Sequence, residues 1–349
     1  MNGVIIINKP AGWTSHDVVN HMRRILGQRS VGHLGTLDPL ATGVLPLVTG
    51  SLTRLAQFYT ASEKTYEGTI RFGFATDTYD ADGEAVGPVS SVSPTLDDLQ
   101  PLAAEFRGLI EQVPPPFSAK KIHGVPAYKL ARKQKQVVLQ PVQIDIKELA
   151  ITAVEADLAH FRARVPSGTY MRSIAHEMGQ RLGCGAHLES LRRTSVAEFD
   201  LAQAHTIDEI ENLQPDAWKF KSQTELKKIN DCHSDRSFAL PQGKGSAVEE
   251  PAVVWDGHSY PPVATTTLAS LFIHPRQLLP QFPSVTADDP TAARIRSGRS
   301  INLPELSRAR LVKVFAGQTE LLAIATRVAG TLFHPNIVFC GTDTPVRRL

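Results

Sequence analysis

The stretch Gly32-His-Leu-Gly-Thr-Leu-Asp-Pro-Leu-Ala-Thr-Gly43 is the most informative segment of this 349-residue sequence. Its glycines and its proline are spaced as in a loop that passes close to a ligand, without the period of a helix or a strand. Asp38 precedes a proline, which pushes its backbone towards an extended conformation, and the neighbouring glycines leave little bulk around its carboxylate. We therefore predict an accessible functional carboxylate at Asp38. The alternative is a turn aspartate that only accepts hydrogen bonds from nearby amides.

Regular structure is predicted on the N-terminal side of this loop. The apolar run Val4–Ile7 favours a strand, and a turn follows at Pro10-Ala11-Gly12. Thr14 and Asp17 have the spacing of a capping box, which predicts that a helix begins there. Gly27 is a suitable residue to end that helix.

Alternating polar and apolar residues predict two half-buried strands further along the chain. Residues 65–74 place Tyr66 on their apolar face, and residues 159–165 lead through the turn Pro166-Ser-Gly168 into a helix. The predicted polar face of that helix, away from its apolar residues, carries Arg172, His176 and Gln180. Strands interspersed with helices and short turns predict an α+β fold with a mixed, mainly antiparallel central sheet and flanking helices.

Composition divides the chain into three parts. Residues 1–213 carry the patterns described above and are predicted to form the first domain. Residues 214–272 are polar and weakly periodic, which predicts an insertion or linker with the composition of a mobile segment. Residues 273–349 are predicted to form a small β-rich module, because 311–315 and 321–325 alternate on either side of a short hairpin turn.

Charge permits a nucleic-acid partner without requiring one. The formal net charge is +2 and the pI is about 8.4, so the chain is only mildly basic. A basic run without acidic residues lies between Phe117 and Gln136, and it comprises Lys120, Lys121, Lys129, Arg132, Lys133 and Lys135. On most proteins such a run is a solvated face. Beside a site for an RNA base it would instead contact phosphates.

Cysteine usage and hydropathy exclude several classes of protein. The three cysteines, Cys184, Cys232 and Cys340, are widely spaced, which argues against a zinc cage and against a disulfide framework. We therefore predict no metal. The N-terminal apolar run is too short for a signal peptide, and no stretch approaches the length of a membrane span. The predicted location is the cytoplasm.

Seven motifs in order, over roughly residues 3–210, resemble those of the TruB family of tRNA pseudouridine synthases. The loop around Asp38 is similar to the signature loop of that family. The other six motifs are Lys9–Ser15 (KPAGWTS), Lys64–Tyr66 (KTY), Thr76–Gly83 (TDTYDADG), Val113–Ala119 (VPPPFSA), Ser167–Arg172 (SGTYMR) and Gly183–Thr194 (GCGAHLESLRRT). The segment around Gly298 and the hairpin after it resemble, more faintly, the PUA-type RNA-binding module that ends many family members.

The resemblance implies roles for individual residues. Asp38 corresponds to the catalytic aspartate, Tyr66 to the tyrosine that stacks on the uracil and is a candidate to remove the C5 proton, and Arg172 to the arginine paired with that aspartate. Supporting roles in substrate binding are implied for Asp80 as a second acidic group, His33 as the residue that fills the space left by the flipped base, and Leu191 as a pocket wall. Further RNA contacts are expected at Lys9, Lys120 and Lys121.

The implied reaction converts the T-loop uridine (U55) of tRNA to pseudouridine within a pseudouridine synthase domain at 1–213. Isomerising uridine moves no electrons or groups in or out, so we predict no cofactor. The expected partner is the T-arm of tRNA, bound by a monomer that has no obligatory protein partner and no membrane contact. The resemblance leaves open whether Asp38 attacks the sugar covalently or promotes elimination.

Two other classes of function remain compatible with the residues alone. The basic run and the C-terminal module would suffice for an RNA-binding or tRNA-folding protein. Asp38 and Asp80 together could instead serve a glycosidase-like hydrolase, because two carboxylates can cleave a glycosidic bond. Single residues also have simpler interpretations: Tyr66 as a core tyrosine, Arg172 as a solvated arginine and His33 as a loop histidine without a role.

Overall fold

The computed structural model describes residues 2–118, 120–122, 125–126, 139–213 and 267–339. The side chain of Lys121, the rest of the basic run beyond it and most of the predicted insertion at 214–272 lie outside the described residues. Residues 1–207 and 272–349 form one compact unit, and residues 208–271 form a second. In the part of the chain that is described, no helix has the length and apolar character needed to cross a membrane.

The described residues form short helices and many strands. The helices are α1 (Ser15–Ile25), α2 (Ala56–Tyr59), α3 (Leu96–Glu105), α4 (Met171–Arg181), α5 (Ile207–Asn212) and α6 (Asp289–Arg296). Short 3₁₀ helices cover Gly50–Leu55, Leu201–Gln203, Leu268–Leu271, Pro275–Gln277 and Pro304–Leu306. The strands up to residue 213 are β1 (Gly3–Lys9), β2 (Val31–His33), β3 (Thr42–Thr49), β4 (Lys64–Phe72), β5 (Ala75–Thr76), β6 (Ala85–Val86), β7 (Gly108–Gln112), β8 (Lys121–Ile122), β9 (Val125–Pro126), β10 (Val142–Ile146), β11 (Glu148–Glu155), β12 (Leu158–Val165), β13 (Ala186–Val196), β14 (Phe199–Asp200) and β15 (Ala204–His205). Those after residue 267 are β16 (Phe272–Ile273), β17 (Ser284–Ala287), β18 (Ile301–Asn302), β19 (Leu311–Ala316), β20 (Glu320–Ala329) and β21 (Leu332–Val338).

A mixed central sheet organises the larger part of the described chain. Its strands follow the order β11-β12-β4-β13-β3-β1-β15. Outside this order, β2 pairs with β3, β14 with β13 and β16 with β1. Two of its pairs, β1 with β15 and β3 with β13, are parallel, and the other described pairs of this sheet are antiparallel. The predicted α+β class, with a mixed and mainly antiparallel sheet, is confirmed.

The N-terminal signals are confirmed in detail. Thr14 caps α1 and forms the capping box with Asp17, and Gly27 follows the helix with φ +62°. The segment predicted as loop is shorter than expected, since β2 already ends at His33 and β3 begins at Thr42. Gly43 explains the difference: it has φ +97°, and a Cβ there would lie 2.2 Å from the Arg193 carbonyl oxygen. This glycine therefore serves a close strand contact, not a loop.

The predicted polar face of helix α4 is only partly as expected. His176 and Gln180 are polar neighbours there, with 2.9 Å between their Nε2 atoms. Arg172 is on the same side of the helix as His176, but it is buried, so the prediction that this side is turned away from the core is wrong at Arg172. Hydrophobic periodicity assigns a charged residue to the solvent side, whereas Arg172 is surrounded by acceptor groups of three neighbouring segments.

The C-terminal strands form a separate five-stranded sheet in the order β17-β19-β20-β21-β18, which is consistent with the predicted PUA-like module. The predicted hairpin is present as β19 and β20. One side of this sheet packs on Ala292 and Ile295 of α6. Its other side belongs to a hydrophobic cluster that also contains residues of β1, β3 and the Asp38 loop. In this cluster Val4, Ile6, Leu34, Val44 and Val48 are grouped with the C-terminal residues Leu279, Phe315, Ile324 and Phe339. The predicted boundaries at 213 and 272 stay predictions.

Candidate active site

The loop that carries Asp38 is held by hydrogen bonds to the backbone of Leu37 and Pro39, the residues on either side of Asp38. Ser15 Oγ accepts a hydrogen bond from the Leu37 amide at 2.8 Å and donates one to its carbonyl at 3.1 Å. The Pro39 carbonyl accepts from the Gly12 amide at 2.9 Å and from Lys9 Nζ at 3.2 Å. The peptide units around Asp38 are therefore fixed, while its own side chain is 41% exposed.

Lys9 supports this loop from inside the protein. Its side chain is fully buried, and Nζ also donates to the Pro10 and Trp13 carbonyls at 2.8 and 2.5 Å. Burial lowers the pKa of Lys9 to about 8, and the negative charges of Asp38 and then Asp17 oppose that effect. The prediction that Lys9 contacts RNA is corrected, because its donors are already taken up by carbonyl groups.

Arg193 holds the other side of the loop and was not singled out from the sequence. It is fully buried, and it donates to the Gly35 carbonyl at 3.0 Å, the Thr36 carbonyl at 3.3 Å and the Val44 carbonyl at 2.8 Å. Burial lowers the pKa of Arg193, and its interaction with the Tyr66 side chain acts in the opposite direction. Its place in the last motif was the available signal.

Arg172 joins the Asp38 loop to two other segments. Its Nε lies 2.9 Å from Asp38 Oδ2 and 3.5 Å from Asp80 Oδ2. These contacts are ion pairs without hydrogen-bond alignment at Nε. The two terminal nitrogens donate to the carbonyls of Thr78 and Phe117, each at 3.1 Å. The planar guanidinium thus contacts four groups and holds one carboxylate at the edge of the cavity described below.

Asp80 lies behind Arg172 and is almost completely buried. Its Oδ1 accepts from Thr78 Oγ1 at 2.5 Å and from the Asp82 amide at 3.2 Å. Burial raises the pKa of Asp80; the Thr78 hydrogen bond and the charge of Arg172 lower it, and the acidic neighbours Asp82 and Asp38 raise it further. Asp80 is thus enclosed by protein groups, with Arg172 as its ion-pair partner.

A cavity of about 270 Å³ opens in front of Asp38 and Arg172. It is close to the lower end of the range for small-molecule sites, which span roughly 300–1,000 Å³. Tyr66, at the start of β4, and Leu191 form apolar walls, and Lys64 and Tyr170 add polar groups. Burial, followed by the charge of Arg193, lowers the pKa of Lys64 to about 8. The cavity combines a carboxylate, two cations and two aromatic side chains.

Tyr170 is fixed at this cavity by the side chain of Gln112. The Gln112 amide accepts from the Tyr170 backbone N–H at 2.8 Å and donates to its carbonyl at 3.0 Å. Burial raises the pKa of the Tyr170 hydroxyl. The sequence patterns did not indicate Gln112, because its partner lies 58 residues away along the chain.

The predicted site residues are thus partly brought together. Asp38, Tyr66, Arg172 and Leu191 line one cavity, with Asp80 directly behind. His33 is not among the lining residues: it ends β2, and burial and the charges of Arg193 and His16 lower its pKa. Lys120 is exposed, and the side chain of Lys121 lies outside the described residues. The described residues hold no group of three or more His, Cys, Asp or Glu suited to a metal ion.

Solved structures share this fold. One chain in a crystal structure of a Cbf5–Nop10–Gar1 complex has a TM-score of 0.61 at 22% sequence identity, over 98% of this chain and 86% of that one. A chain in a structure of an H/ACA RNP bound to a substrate RNA containing 2′-deoxyuridine has the same TM-score and coverage at 21% identity. This chain therefore has the fold of those two chains.

Family models and curated relatives then give the particular family. Residues 23–171 match the N-terminal domain of the TruB family of pseudouridylate synthases, and residues 172–229 match the tRNA pseudouridylate synthase B C-terminal domain. A tRNA pseudouridine synthase B of Solibacter usitatus is 44% identical over 341 residues, which cover 97% of this chain and all of that protein. The protein of the same name from Aquifex aeolicus is 43% identical over 211 residues, or 60% of this chain and 73% of that one.

The chain therefore belongs to the TruB family of pseudouridylate synthases. The predicted family and the predicted class of enzyme, an isomerase, are confirmed.

Proposed function

We propose that this protein converts the T-loop uridine (U55) of tRNA to pseudouridine, with Asp38 acting on the ribose of the target nucleotide. The observation that carries the proposal is the ion pair of 2.9 Å between Asp38 and the buried Arg172, at the edge of a cavity walled by Tyr66. Family membership and the name shared by the relatives support tRNA as the substrate.

The chemistry requires a carboxylate that is held but not enclosed. In the reaction the bond between ribose C1′ and uracil N1 breaks, the base turns, and a bond between C1′ and C5 forms. The proton leaves C5, and N1 gains one, so the overall change is an isomerisation and needs no cofactor. Arg172 orients one oxygen of Asp38 and stabilises its negative charge, and the exposed side of the carboxylate is free to attack C1′ or to take a proton from the ribose.

Tyr66 and Leu191 supply the surroundings that a flipped base needs. A base extruded from folded RNA loses its stacking partners, and an aromatic side chain can replace them. Tyr66 is 7% exposed and lines the cavity from the start of β4, so it suits stacking and the later removal of the C5 proton. Leu191 also lines the cavity, as an apolar wall. We propose that the T-arm reaches this cavity alongside Lys120 and that a monomer suffices.

The decisive experiment is a single-turnover assay on an unmodified tRNA transcript, followed by mapping of pseudouridine. Wild-type protein should modify the T-loop uridine, and Asp38→Asn should lose activity below detection while retaining affinity for tRNA in filter binding. Asp97→Asn, an exposed acid in the first turn of α3, is the matched control and should behave as wild type. Release of free uracil would indicate a hydrolase, and tight binding of tRNA without conversion by wild-type protein would indicate a binding protein.

A further inference from the structure

A tyrosine in an unusual backbone conformation precedes Asp80. Tyr79 has φ +67°, a value that side chains larger than glycine rarely adopt. Such a conformation persists only where surrounding contacts enforce it. Here the Tyr79 carbonyl accepts from the Leu188 amide, and the Ala81 amide donates to the Leu188 carbonyl, both at 3.0 Å. The backbone on both sides of Asp80 is thereby attached to β13.

The ring of Tyr79 contacts the helix that carries Arg172. It stacks on His176 with 3.7 Å between ring centroids and 8° between ring planes. His176 lies four residues after Arg172 in α4, so both side chains are on the same side of the helix. The Asp80 turn is thus attached to α4 at two neighbouring points, by Arg172 and by His176.

The surroundings of His176 favour its neutral form, and its ring is stacked on Tyr79. The Gln180 amide nitrogen lies 2.9 Å from His176 Nε2, and because an amide nitrogen can only donate, this contact fits an imidazole whose Nε2 is unprotonated. Burial lowers the pKa of His176, and the charge of Glu177 acts in the opposite direction. The flat face of the imidazole therefore stays available to Tyr79, one helical turn from the guanidinium that orients Asp38.

We infer that Tyr79 and His176 are positioning residues that set the location of Asp80 and Arg172, and through Arg172 the orientation of the Asp38 carboxylate. The inference rests on the proposed function, since it assigns the stack to the reaction that begins at Asp38. Neither residue lines the cavity, so neither contacts the reacting atoms.

The test separates loss of the ring from relief of backbone strain. Tyr79→Gly removes the ring but accepts the positive φ, so its melting temperature should stay near that of wild type, whereas Tyr79→Ala keeps the strain and should melt lower. Both variants should lose about tenfold or more in kcat, because displacement of a catalytic group by about 1 Å can cost roughly a hundredfold. KM for tRNA should change little. Tyr79→Phe keeps the stack and should restore kcat.

Two further variants complete the design. As a single substitution, His176→Ala should lower kcat. In the Tyr79→Gly background it should lower kcat little further, as expected for residues that act as a unit. Ala156→Gly relieves a comparable positive φ of 54° in an exposed turn and should leave kcat unchanged. Wild-type kcat in Tyr79→Gly, or kcat values that simply follow melting temperature, would overturn the inference. Failure of wild-type protein to form pseudouridine would instead overturn the proposed function.

Discussion

Replacement of Arg172 with lysine keeps the positive charge but removes the planar arrangement of donors. Arg172 contacts Asp38, Asp80 and two backbone carbonyls, and an ammonium group on a flexible stem cannot serve all four groups at once. Hydrogen bonds to charged groups contribute about 1.5–3 kcal/mol each, and the side chain is 6% exposed, so solvent screening is weak. Loss of one such bond should lower the free energy of unfolding by about that amount.

The effect of Arg172→Lys on turnover should be larger than its effect on stability. If the Asp38 carboxylate moves by about 1 Å, the rate constant measured in single turnover should fall roughly a hundredfold. The affinity for tRNA measured by filter binding should change little, because Arg172 is buried. Arg181→Lys on the same helix is the matched control: its ion pairs with Glu105 and Glu177 are exposed and should contribute less than about 1 kcal/mol. Near-normal kcat in Arg172→Lys would refute the assigned role.

Three charged side chains, Asp80, Lys64 and Glu198, give further predictions. Because burial raises the pKa of Asp80, the stability that this residue contributes is present at low pH and lost as the pH rises through the raised pKa. The melting temperature of Asp80→Asn should therefore exceed that of wild type at pH 8 but not below about pH 4, and its kcat should be lower. A higher melting temperature only at acidic pH would contradict the direction of the pKa shift. The Lys64 ammonium loses its charge as the pH rises through about 8, so kcat/KM for tRNA should fall there in wild type but not in Lys64→Arg, and identical alkaline limbs would exclude a role for that charge. Glu198 accepts hydrogen bonds from Tyr59 Oη at 2.5 Å and from the Leu279 amide at 2.8 Å. Glu198→Ala should therefore lower the free energy of unfolding by about 1.5–3 kcal/mol and leave kcat at saturating tRNA unchanged. An unaltered free energy of unfolding would show that these contacts do not hold the C-terminal module.

Local signals predicted the local structure well. The capping box of Thr14 and Asp17, the alternation around Tyr66 and the C-terminal hairpin each depend on residues within a few positions of one another. Such patterns act through backbone geometry that is almost independent of the rest of the fold. The motif order added the family, and with it the pairing of Asp38 with Arg172 that the structure contains.

Buried cations were the features that sequence patterns could not locate. Lys9, Arg172 and Arg193 are buried, although hydrophobic periodicity assigns charged residues to the surface. Each is compatible with burial because carbonyl groups accept its hydrogen bonds, at least one of them from a segment far along the chain, as with Arg193 and Gly35, which are 158 residues apart. That compensation becomes visible only when the loops are placed in space. For the same reason, Lys9 was predicted to face RNA.

These cations also explain how a short loop can hold the Asp38 carboxylate without enclosing it. Lys9 binds the carbonyl after Asp38, and Arg193 binds the carbonyls of Gly35 and Thr36 before it, so the backbone on both sides is fixed by charge-assisted hydrogen bonds. Leu34, at the start of the loop, packs in the cluster that includes the C-terminal sheet. The side chain of Asp38 is left to contact Arg172 and the cavity, which is the arrangement that electrostatic preorganisation of a reacting group requires. Because the fixing contacts are made to backbone atoms, they constrain the position of Asp38 without occupying either of its oxygens.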